Sequence, residues 1–583
     1  MPPRAQTVPD AAAQAGAHNR PPFTSPVKRL HGPNTFSTIS GDIPKERVSQ
    51  AVQIKNMQKQ IGGNVWGFGV HEICRMLSPR TVKPGVSRPT SREHFDFLVD
   101  EPFFKRAVTK AAASSESSYF KIRWPKNAPE ARYYDPFTAF LNEVVKACHN
   151  ALDQFAASEG SPPRCSRWYD KLKFYYSKER LVHDGVDGAA KTKPDIHGLV
   201  DYDEKVAIMW IPTDGTMKNK LVLPVEVKED LKELVGQSAT YARCLFDAEP
   251  YRRFALIVAF HHKTSHVYFL IFHRSGLTCN RKSSVDISTP EGRTLCIQLM
   301  MTLLLWVNAQ HAGLDMSISK KDIMLPSPLP STATLLDDIY RFLCIRGRAT
   351  RVIPVEFEGT GEASSDSLEG VLTTDPPPVP VRRSSRIKRQ NSEHKAGKCE
   401  PIPYAYLNVI QEEAAFTLHD WKPVLGDQHN CKYHQDGKQA ISNLRGILKE
   451  FWPQDHQRMV EYDVFSGLRG RAGVAQFWTY WEVTEPTGEV VGTRIFLPST
   501  VEAKDTFWDL FYKPAPDHHY DPEYRTMVRE MQMLQGVSLV RAESSAQLLD
   551  HIQWAAIGWC FCYVILVTYL PRLADNLCVW SPP

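Results

Sequence analysis

Residues 221–241, LVLPVEVKEDLKELVGQSATY, limit the folds open to this chain more than any other stretch. The first eight residues are mostly β-formers, and a segment with helical spacing follows directly. Side chains alternate along a strand, so Glu226 and Lys228 point to one face while Val225 and Val227 point to the other. A charged pair buried at the end of an apolar strand is costly unless its charges are compensated by pairing, hydrogen bonds or a bound ion. The stretch therefore predicts a β-strand followed by a helix, with a polar site where the strand ends.

The length and composition of the chain predict several domains in an intracellular protein. A chain of 583 residues is too long for one hydrophobic core. Its net charge of +5 is small for this length, so charge alone indicates no nucleic-acid partner. The 12 cysteines form no CxxC pairs, which indicates reduced thiols rather than disulfides or a zinc site. No apolar signal region begins the sequence, so we expect a nuclear or cytoplasmic location.

Changes in composition along the chain predict its organisation. The mixture of helix and strand patterns indicates an α/β and α+β multidomain protein. Stretches rich in Pro, Ser and Gly, together with a basic cluster, mark unfolded segments. The predicted regions are a disordered tail (1–45), a helical N-terminal region (46–130), an α/β domain with following helices (131–350), a disordered basic and proline-rich linker (351–400), a second folded region (401–563) and a C-terminal tail (564–583).

The basic cluster of the linker has two interpretations. It could be a nuclear-import signal, with Ser384 and Ser385 as phosphorylation sites, or a solvated basic linker with no such role. Both stay open. Its basic residues are Arg382, Arg383, Arg386, Lys388 and Arg389.

A candidate metal site is predicted from two neighbouring strands. Asp195 follows Pro194 at the start of the strand before the one that ends at Glu226 and Lys228. Pairing of these strands would bring the two carboxylates together, and hard oxygen ligands suit Mg²⁺. The metal would activate a water and Lys228 would stabilise developing negative charge. Gln237 and Tyr241 are four residues apart and share one face of the next helix.

These residues resemble the PD-(D/E)xK nuclease fold. Pro194-Asp195, Glu226-x-Lys228 and Gln237-x-x-x-Tyr241 follow in the order of its RecB-like members. The resemblance implies an αβββαβ core, a Mg²⁺ site, nucleic acid as a partner, and Glu143 as an additional acidic ligand. The alternative is an ordinary salt bridge between Glu226 and Lys228, with Asp195 as a turn residue.

The region after the linker contains parts of a kinase-like pattern. Gly467, Gly470 and Gly473 lie between β-like runs, where backbone amides could cover phosphates, or where they form only a tight turn. Lys504 ends a short extended run, and DPEYRTMVREMQMLQG (521–536) has helical spacing. A glycine loop, a strand lysine and a helix glutamate in this order are typical of a kinase small lobe. Glu530 is the expected partner of Lys504, with Glu523 as the alternative.

The order of all these segments resembles the fungal-type protein kinase family. KPDIHGLV, PVEVK and GQSATYARCLFDAEPYRRFALIVAF lie ahead of the kinase-like region, and AKDTFWD is similar to that family's lysine–aspartate–aromatic segment. The resemblance covers about residues 130–563. It implies a Ser/Thr-kinase-like protein that binds ATP and Mg²⁺ and acts on a protein substrate.

The sequence departs from that family where the catalytic lobe should begin. It has no HRD and no DFG motif, which supply the catalytic Asp and the metal ligands. We therefore expect a catalytically incomplete kinase, and we expect the sequence after Tyr563 to come from a retained intron or a shifted frame. Residues 552–570 are nearly uncharged and long enough to span a bilayer, so a tail-anchored pseudokinase scaffold is an alternative. The second alternative is a Mg²⁺-dependent nuclease or nucleic-acid-binding domain.

Overall fold

The computed structural model describes the chain in several stretches. They are residues 50–119, 121–125, 127–155, 161–176, 192–210, 218–319, 321–326, 331–336, 340–341, 344–357, 445–462, 477–514 and 518–532. The glycines 467, 470 and 473, the basic cluster at 382–389, the predicted N-terminal tail and the apolar stretch 552–570 lie outside the described residues. None of the described helices is long and apolar enough to cross a membrane.

The described residues form helices and strands in a mixed α/β arrangement. The helices are α1 (Gln50–Ile61), α2 (Val70–Leu77), α3 (Pro102–Tyr119), α4 (Tyr134–Asp153), α5 (Leu231–Ala248), α6 (Pro290–Leu304) and α7 (Ala503–Thr506). The strands are β1 (Val65–Gly67), β2 (Arg80–Val82), β3 (Phe95–Phe97), β4 (Leu172–Tyr175), β5 (Ile196–Val200), β6 (Lys220–Lys228), β7 (Phe254–His261), β8 (His266–His273), β9 (Gly276–Cys279), β10 (Ile318–Ser319), β11 (Asp322–Met324), β12 (Thr332–Leu335), β13 (Tyr340–Arg341), β14 (Arg351–Phe357), β15 (Arg445–Phe451), β16 (Phe477–Glu482) and β17 (Val528–Gln532).

A seven-stranded sheet forms the centre of the first part of the chain. Its strand order is β1-β9-β8-β7-β6-β5-β4, with β6 parallel to β7 and β1 parallel to β9. Helices α2, α3, α4 and α6 cover one face, and α1 and α5 cover the other. Since both faces are covered, β6 and β7 are buried almost throughout, as their runs of apolar residues predict.

Helix α5 begins where strand β6 ends because Asp230 caps it. The Asp230 carboxylate accepts a hydrogen bond from the backbone N–H of Glu233 at 2.8 Å. Helix α1 then packs closely over α5 at Gly236, where a Cβ atom would lie 2.6 Å from the Gln58 side chain. The strand–helix sequence predicted for residues 221–241 is confirmed.

A second sheet joins residues from both sides of the undescribed stretch 358–444. Its strand order is β10-β11-β12-β14-β15-β17-β16, with β13 also paired to β14. Strand β14 pairs with β15 from Arg351 opposite Glu450 to Glu356 opposite Arg445. The linker predicted to begin at residue 351 therefore begins with a strand that runs to Phe357, and this strand belongs to the same sheet as the region after the linker.

The segment predicted as a kinase small lobe packs against the first sheet. Ile495, Phe496, Leu497 and Ala503 belong to the hydrophobic core on the α6 side of that sheet. The backbone N–H of Trp508 also donates to the carbonyl of Val65 at 2.9 Å. The two sheets thus share contacts through residues 493–508, rather than each being closed on its own.

Candidate functional site at the end of strands β5 and β6

The antiparallel pairing of β5 and β6 brings the predicted acidic residues together. Ile196 lies opposite Val225, so Asp195 immediately precedes β5 beside the end of β6. The Asp195 Oδ2 atom accepts a hydrogen bond from the backbone N–H of Val227 at 2.9 Å. Asp195, Glu226 and Lys228 are therefore neighbours at one end of the two strands.

The ammonium group of Lys228 lies among three carboxylates. Its Nζ atom is 2.7 Å from Oε1 of Glu130, 3.0 Å from Oε1 of Glu226 and 3.7 Å from Oδ2 of Asp195. One positive charge therefore faces three acidic groups. When all four groups are ionised, the cluster has a net negative charge, which favours binding of a further cation.

Glu130 was not among the residues predicted from the sequence. It lies in a 3-10 turn, Glu130–Arg132, that leads into α4, and it accepts a hydrogen bond from the Tyr134 hydroxyl at 2.5 Å. Glu130 and Tyr134 are four residues apart, so their spacing is a weak signal of this contact. The approach of the turn to Lys228 depends on how α4 packs against the sheet, which the sequence does not state.

Gln237 and Tyr241 hold the Glu226 carboxylate from the α5 side. The Tyr241 hydroxyl lies 2.8 Å from Oε2 of Glu226 and 3.0 Å from the backbone carbonyl of Lys193, and Gln237 Nε2 donates to the same hydroxyl at 3.0 Å. Tyr241 is fully buried. The pair therefore fixes the orientation of Glu226 and ties it to the backbone just before Asp195.

Burial dominates the electrostatics of the two acidic residues. Desolvation raises the pKa of Glu226 well above its usual value, and the nearby negative charge of Asp195 raises it further. Desolvation also raises the pKa of Asp195, although Lys228 and the Val227 N–H oppose that shift. Burial alone would lower the pKa of Lys228, but Glu226 and Asp195 together raise it. The lysine is therefore the stable charge of the cluster, and the two acids compete for ionisation.

The chemistry of the cluster suits a hard divalent cation. Oε1 of Glu226 is buried, and the Lys228 ammonium lies 3.0 Å away as its partner among the described residues. Because Lys228 is shared with Glu130 and Asp195, a further cation would gain from the remaining negative charge. No group of three or more His, Cys, Asp or Glu side chains in the described ranges is arranged to hold a metal ion. Mg²⁺ needs only one or two protein carboxylates because it keeps several waters.

Glu143 is not among the described contacts of this cluster. It is on α4 with 39% of its side chain exposed, and its carboxylate is 4.0 Å from the ammonium of Lys146 one turn along the same helix. It forms no hydrogen bond or ion pair with the described residues at the ends of β5 and β6. Glu130, rather than Glu143, supplies the third carboxylate near Lys228.

The described residues of the kinase-like pattern, Lys504, Glu523 and Glu530, form no ion pair with one another. Lys504 is exposed on the four-residue helix α7 rather than in an extended run. Glu530 is buried on strand β17 rather than on the predicted helix, and the nearest ammonium, that of Lys449, is 4.0 Å away. Glu523 forms ion pairs with Arg346 and Arg525. No ion pair joins Lys504 to either glutamate in the part of the chain that the structure describes.

Comparisons of this chain with protein-family models, with curated proteins and with solved structures find no match. The geometry of the cluster at β5 and β6 is therefore the main basis for a functional proposal.

Proposed function

We propose that the first sheet carries a Mg²⁺-dependent site that hydrolyses phosphodiester bonds in nucleic acid, built as in the PD-(D/E)xK nucleases. The observation that carries the proposal is the meeting of Asp195, Glu226 and Lys228 at one end of two paired strands. Asp195 contacts Val227 and Lys228, 32 and 33 positions further along the sequence, and the pair of acids stays only partly compensated by Lys228.

The order of elements around the site supports the same proposal. Helix α4 is followed by the antiparallel strands β4, β5 and β6, then by α5 and by β7, which is parallel to β6. This is the αβββαβ order that the sequence resemblance implies. The contact of Tyr241 with Glu226 gives the QxxxY pair a role in positioning a site residue, beyond packing.

Asp195 and Glu226 are the residues that would hold the cation. The bound Mg²⁺ would supply positive charge beside the scissile phosphate and lower the pKa of a coordinated water. Val227 N–H and Tyr241 orient the two carboxylates, and their burial limits competing water. Lys228 has a raised pKa and keeps its proton, so its role is to stabilise negative charge that develops on the phosphate.

Access to the site is from the side of Glu130. The Glu130 side chain is 29% exposed, that of Lys228 is 13% exposed and that of Glu226 is fully buried. A phosphate group approaching from solvent therefore meets Glu130 and Lys228 before Glu226. For Lys228 to reach the phosphate, its contact with Glu130 must loosen, and a bound cation would favour this by repelling the ammonium group.

The kinase activity implied by the family resemblance stays a prediction. No described contact between Lys504 and Glu530 adds support to it, and the glycine-rich stretch lies outside the described residues.

A cleavage assay on the full chain tests the proposal. Supercoiled plasmid, linear duplex, single-stranded DNA and RNA are incubated with the protein in Mg²⁺, in Mn²⁺ and in EDTA. We expect metal-dependent cleavage of at least one substrate, reduced about 100-fold or more in Asp195→Asn. Asp96→Asn, at an exposed position on β3, is the matched control and should leave the rate unchanged. Equal rates in Asp195→Asn and the wild type, or no cleavage of any substrate, would refute the proposal.

A further inference from the structure

An open cleft of about 510 Å³ lies beside β4, the outermost strand at one side of the first sheet. It is lined by Lys173 and Tyr175 on β4, by residues 201–205 in the loop after β5, and by Lys218 before β6. Clefts of several hundred Å³ are large enough to hold a small ligand or one unit of a polymer. The chemistry of the lining indicates which kind of ligand fits.

Two tyrosine rings form one wall of the cleft. The ring centroids of Tyr175 and Tyr202 are 3.7 Å apart, and their planes meet at 29°, so the rings are stacked. Both side chains are half-buried, and both pack against the hydrophobic core on the α5 side of the sheet. A stacked aromatic pair that stays partly exposed in a cleft offers a flat surface on which a further planar ring can stack.

Lysine side chains lie beside this aromatic pair. The Nζ atom of Lys173 is 5.1 Å from the centroid of the Tyr175 ring. The side chain of Lys205 is exposed at the other side of the lining. Neither ammonium group forms an ion pair with a carboxylate of the described ranges. Both are therefore available to a negatively charged group of a ligand.

Three acidic residues in the same lining keep the net charge of the cleft small. Asp201 pairs with Lys171 at 3.3 Å, and Asp203 pairs with Lys218 at 3.8 Å. Glu204 is the third acid. With Lys171 included, four lysines face these three acids, which leaves a net charge of one positive unit. A ligand would therefore be held more by stacking than by charge.

Strand β4 connects the cleft to the proposed metal site. Tyr175 lies opposite His197 in the antiparallel pairing of β4 with β5, and His197 comes two residues after Asp195. Two residues of an extended strand span about 7 Å. Lys173 lies opposite Leu199, two residues before the loop that completes the cleft. The cleft therefore begins close to Asp195 and runs along β4 away from it.

We propose that this cleft binds single-stranded nucleic acid next to the scissile phosphate, with unpaired bases stacked on Tyr175 and Tyr202 and with lysines beside the backbone phosphates. That the occupant is a nucleic acid rests on the function proposed above for Asp195 and Glu226. A base inside a duplex has its faces covered by neighbouring bases, whereas an unpaired base is free to stack on a tyrosine ring. The cleft thus adds a preference for single strands to the proposed activity.

Binding measured in EDTA, where metal-dependent cleavage is blocked, tests the inference. Fluorescence anisotropy compares binding of the full chain to a labelled DNA strand, to the RNA strand of the same sequence and to the DNA duplex. We expect the tighter-binding single strand to bind at least about 10-fold more tightly than the duplex. The tighter of the two single strands identifies the substrate as DNA or RNA.

Variants of the two tyrosines assign the preference to the cleft. Tyr175→Leu and Tyr202→Leu should each weaken single-strand binding about 10-fold or more and leave duplex binding nearly unchanged. Tyr202→Phe keeps the ring and should bind as the wild type does. Tyr462→Leu, which removes a half-buried ring lying 5.6 Å from that of Tyr480 outside the cleft, is the matched control and should also bind normally. Equal affinity for single strands and duplex, or normal binding by both leucine variants of the cleft, would overturn the inference.

Photo-crosslinking of the wild type keeps the inference testable if a leucine variant does not fold. A single strand that carries 5-iodouracil is irradiated with the full chain, and the attached peptides are identified by mass spectrometry. Crosslinks to Tyr175 or Tyr202 support the inference. Crosslinks confined to peptides outside the lining of the cleft overturn it.

Failure of this inference differs from failure of the proposed function. Asp195→Asn should lose cleavage and keep the preference for single strands, because Asp195 is not part of the lining. Cleavage by the wild type with single-strand binding that does not depend on Tyr202 would overturn the role of the cleft alone. Single-strand binding that depends on Tyr202, in a protein that cleaves no substrate, would support the cleft and overturn the nuclease activity alone.

Discussion

Two regions of this molecule hold buried acidic residues in contrasting surroundings. At the contact between the two sheets, Glu489 is held by Arg80 and Arg253, and Glu523 by Arg346 and Arg525. Burial raises the pKa of both acids, but the paired arginines outweigh it and hold both pKa values below the usual range. At the β5–β6 site, Asp195 and Glu226 share one lysine, and their pKa values are raised.

The difference separates acids that stabilise the fold from acids that, in our proposal, take part in chemistry. A fully paired buried carboxylate is already at its most stable when ionised, so it has little to gain from a metal. An under-compensated carboxylate is destabilising alone and gains most when a cation binds. Glu485 is intermediate, since burial raises its pKa even though it pairs with Arg253.

The largest effect is expected from breaking the paired region. Arg253→Met removes the counter-charge of Glu485 and one of the two partners of Glu489, so we expect a loss of about 3–5 kcal/mol in the free energy of unfolding. Urea denaturation measures it. Arg88→Met, which breaks a half-exposed pair with Glu482, should cost about 1 kcal/mol or less. Equal losses in the two variants would mean that buried pairing does not hold the sheets together.

Lys228→Met should damage chemistry more than metal binding. Removing the ammonium takes away the group that we propose stabilises the phosphate, so we expect cleavage to fall about 100-fold or more. The carboxylates of Asp195 and Glu226 remain and lose a competing cation, so Mg²⁺ should bind as tightly as before or more tightly. A metal titration beside the cleavage assay separates the two effects, and loss of Mg²⁺ binding in this variant would contradict the assignment.

Glu226→Gln should make the metal-free protein more stable. The amide can still accept the Tyr241 hydrogen bond but carries no buried charge, so we expect a gain of about 1–2 kcal/mol near neutral pH together with loss of cleavage. The folded-state pKa of Glu226 is raised, so the folded protein binds more protons than the unfolded chain above the ordinary carboxyl pKa.

The stability of the wild type should therefore fall as pH rises through the raised pKa of Glu226, and the glutamine variant should lack this part of the fall. Thermal unfolding of both proteins between pH 5 and pH 9 in EDTA measures the difference in stability between the variant and the wild type. A stability difference that does not widen as pH rises would show that the pKa of Glu226 is not raised in the folded protein. Tyr241→Phe, which removes the hydroxyl but keeps the ring, is a useful control for the hydrogen bond alone.

The smallest effect distinguishes the two candidate acids near α4. Glu130→Gln loses an ion pair with Lys228 and should change cleavage about 3- to 10-fold, corresponding to about 1 kcal/mol. Glu143→Gln, on the exposed face of α4, should leave the rate unchanged. A larger effect of Glu143 than of Glu130 would restore the ligand that the sequence resemblance implied.

Local patterns predicted the centre of the first sheet well. Strands β5 and β6 and helix α5 follow the periodicity of their residues. The contact of Asp195 with the end of β6 could be predicted because adjacent strands in sequence usually pair. Glu130 could not, since a 3-10 turn has no periodic pattern and its contact with Lys228 is a tertiary one.

The second sheet was harder to predict because tertiary contacts override local preference there. Residues 528–532, VREMQ, are rich in helix-forming side chains, yet they form β17 between β15 and β16. The pairing of β14 with β15 joins residues on both sides of a long proline-rich and basic stretch, and no local signal reports such a contact.

Isothermal titration of Mg²⁺ into the wild type, Asp195→Asn and Glu226→Gln tests the proposed site most directly. We expect about one Mg²⁺ bound per wild-type chain, with affinity that rises with pH as the two carboxyls ionise, and at least about 10-fold weaker binding in each variant. Thermal unfolding confirms that each variant is folded. Binding of Mg²⁺ with the same affinity in all three proteins would contradict the assignment of Asp195 and Glu226 as metal ligands.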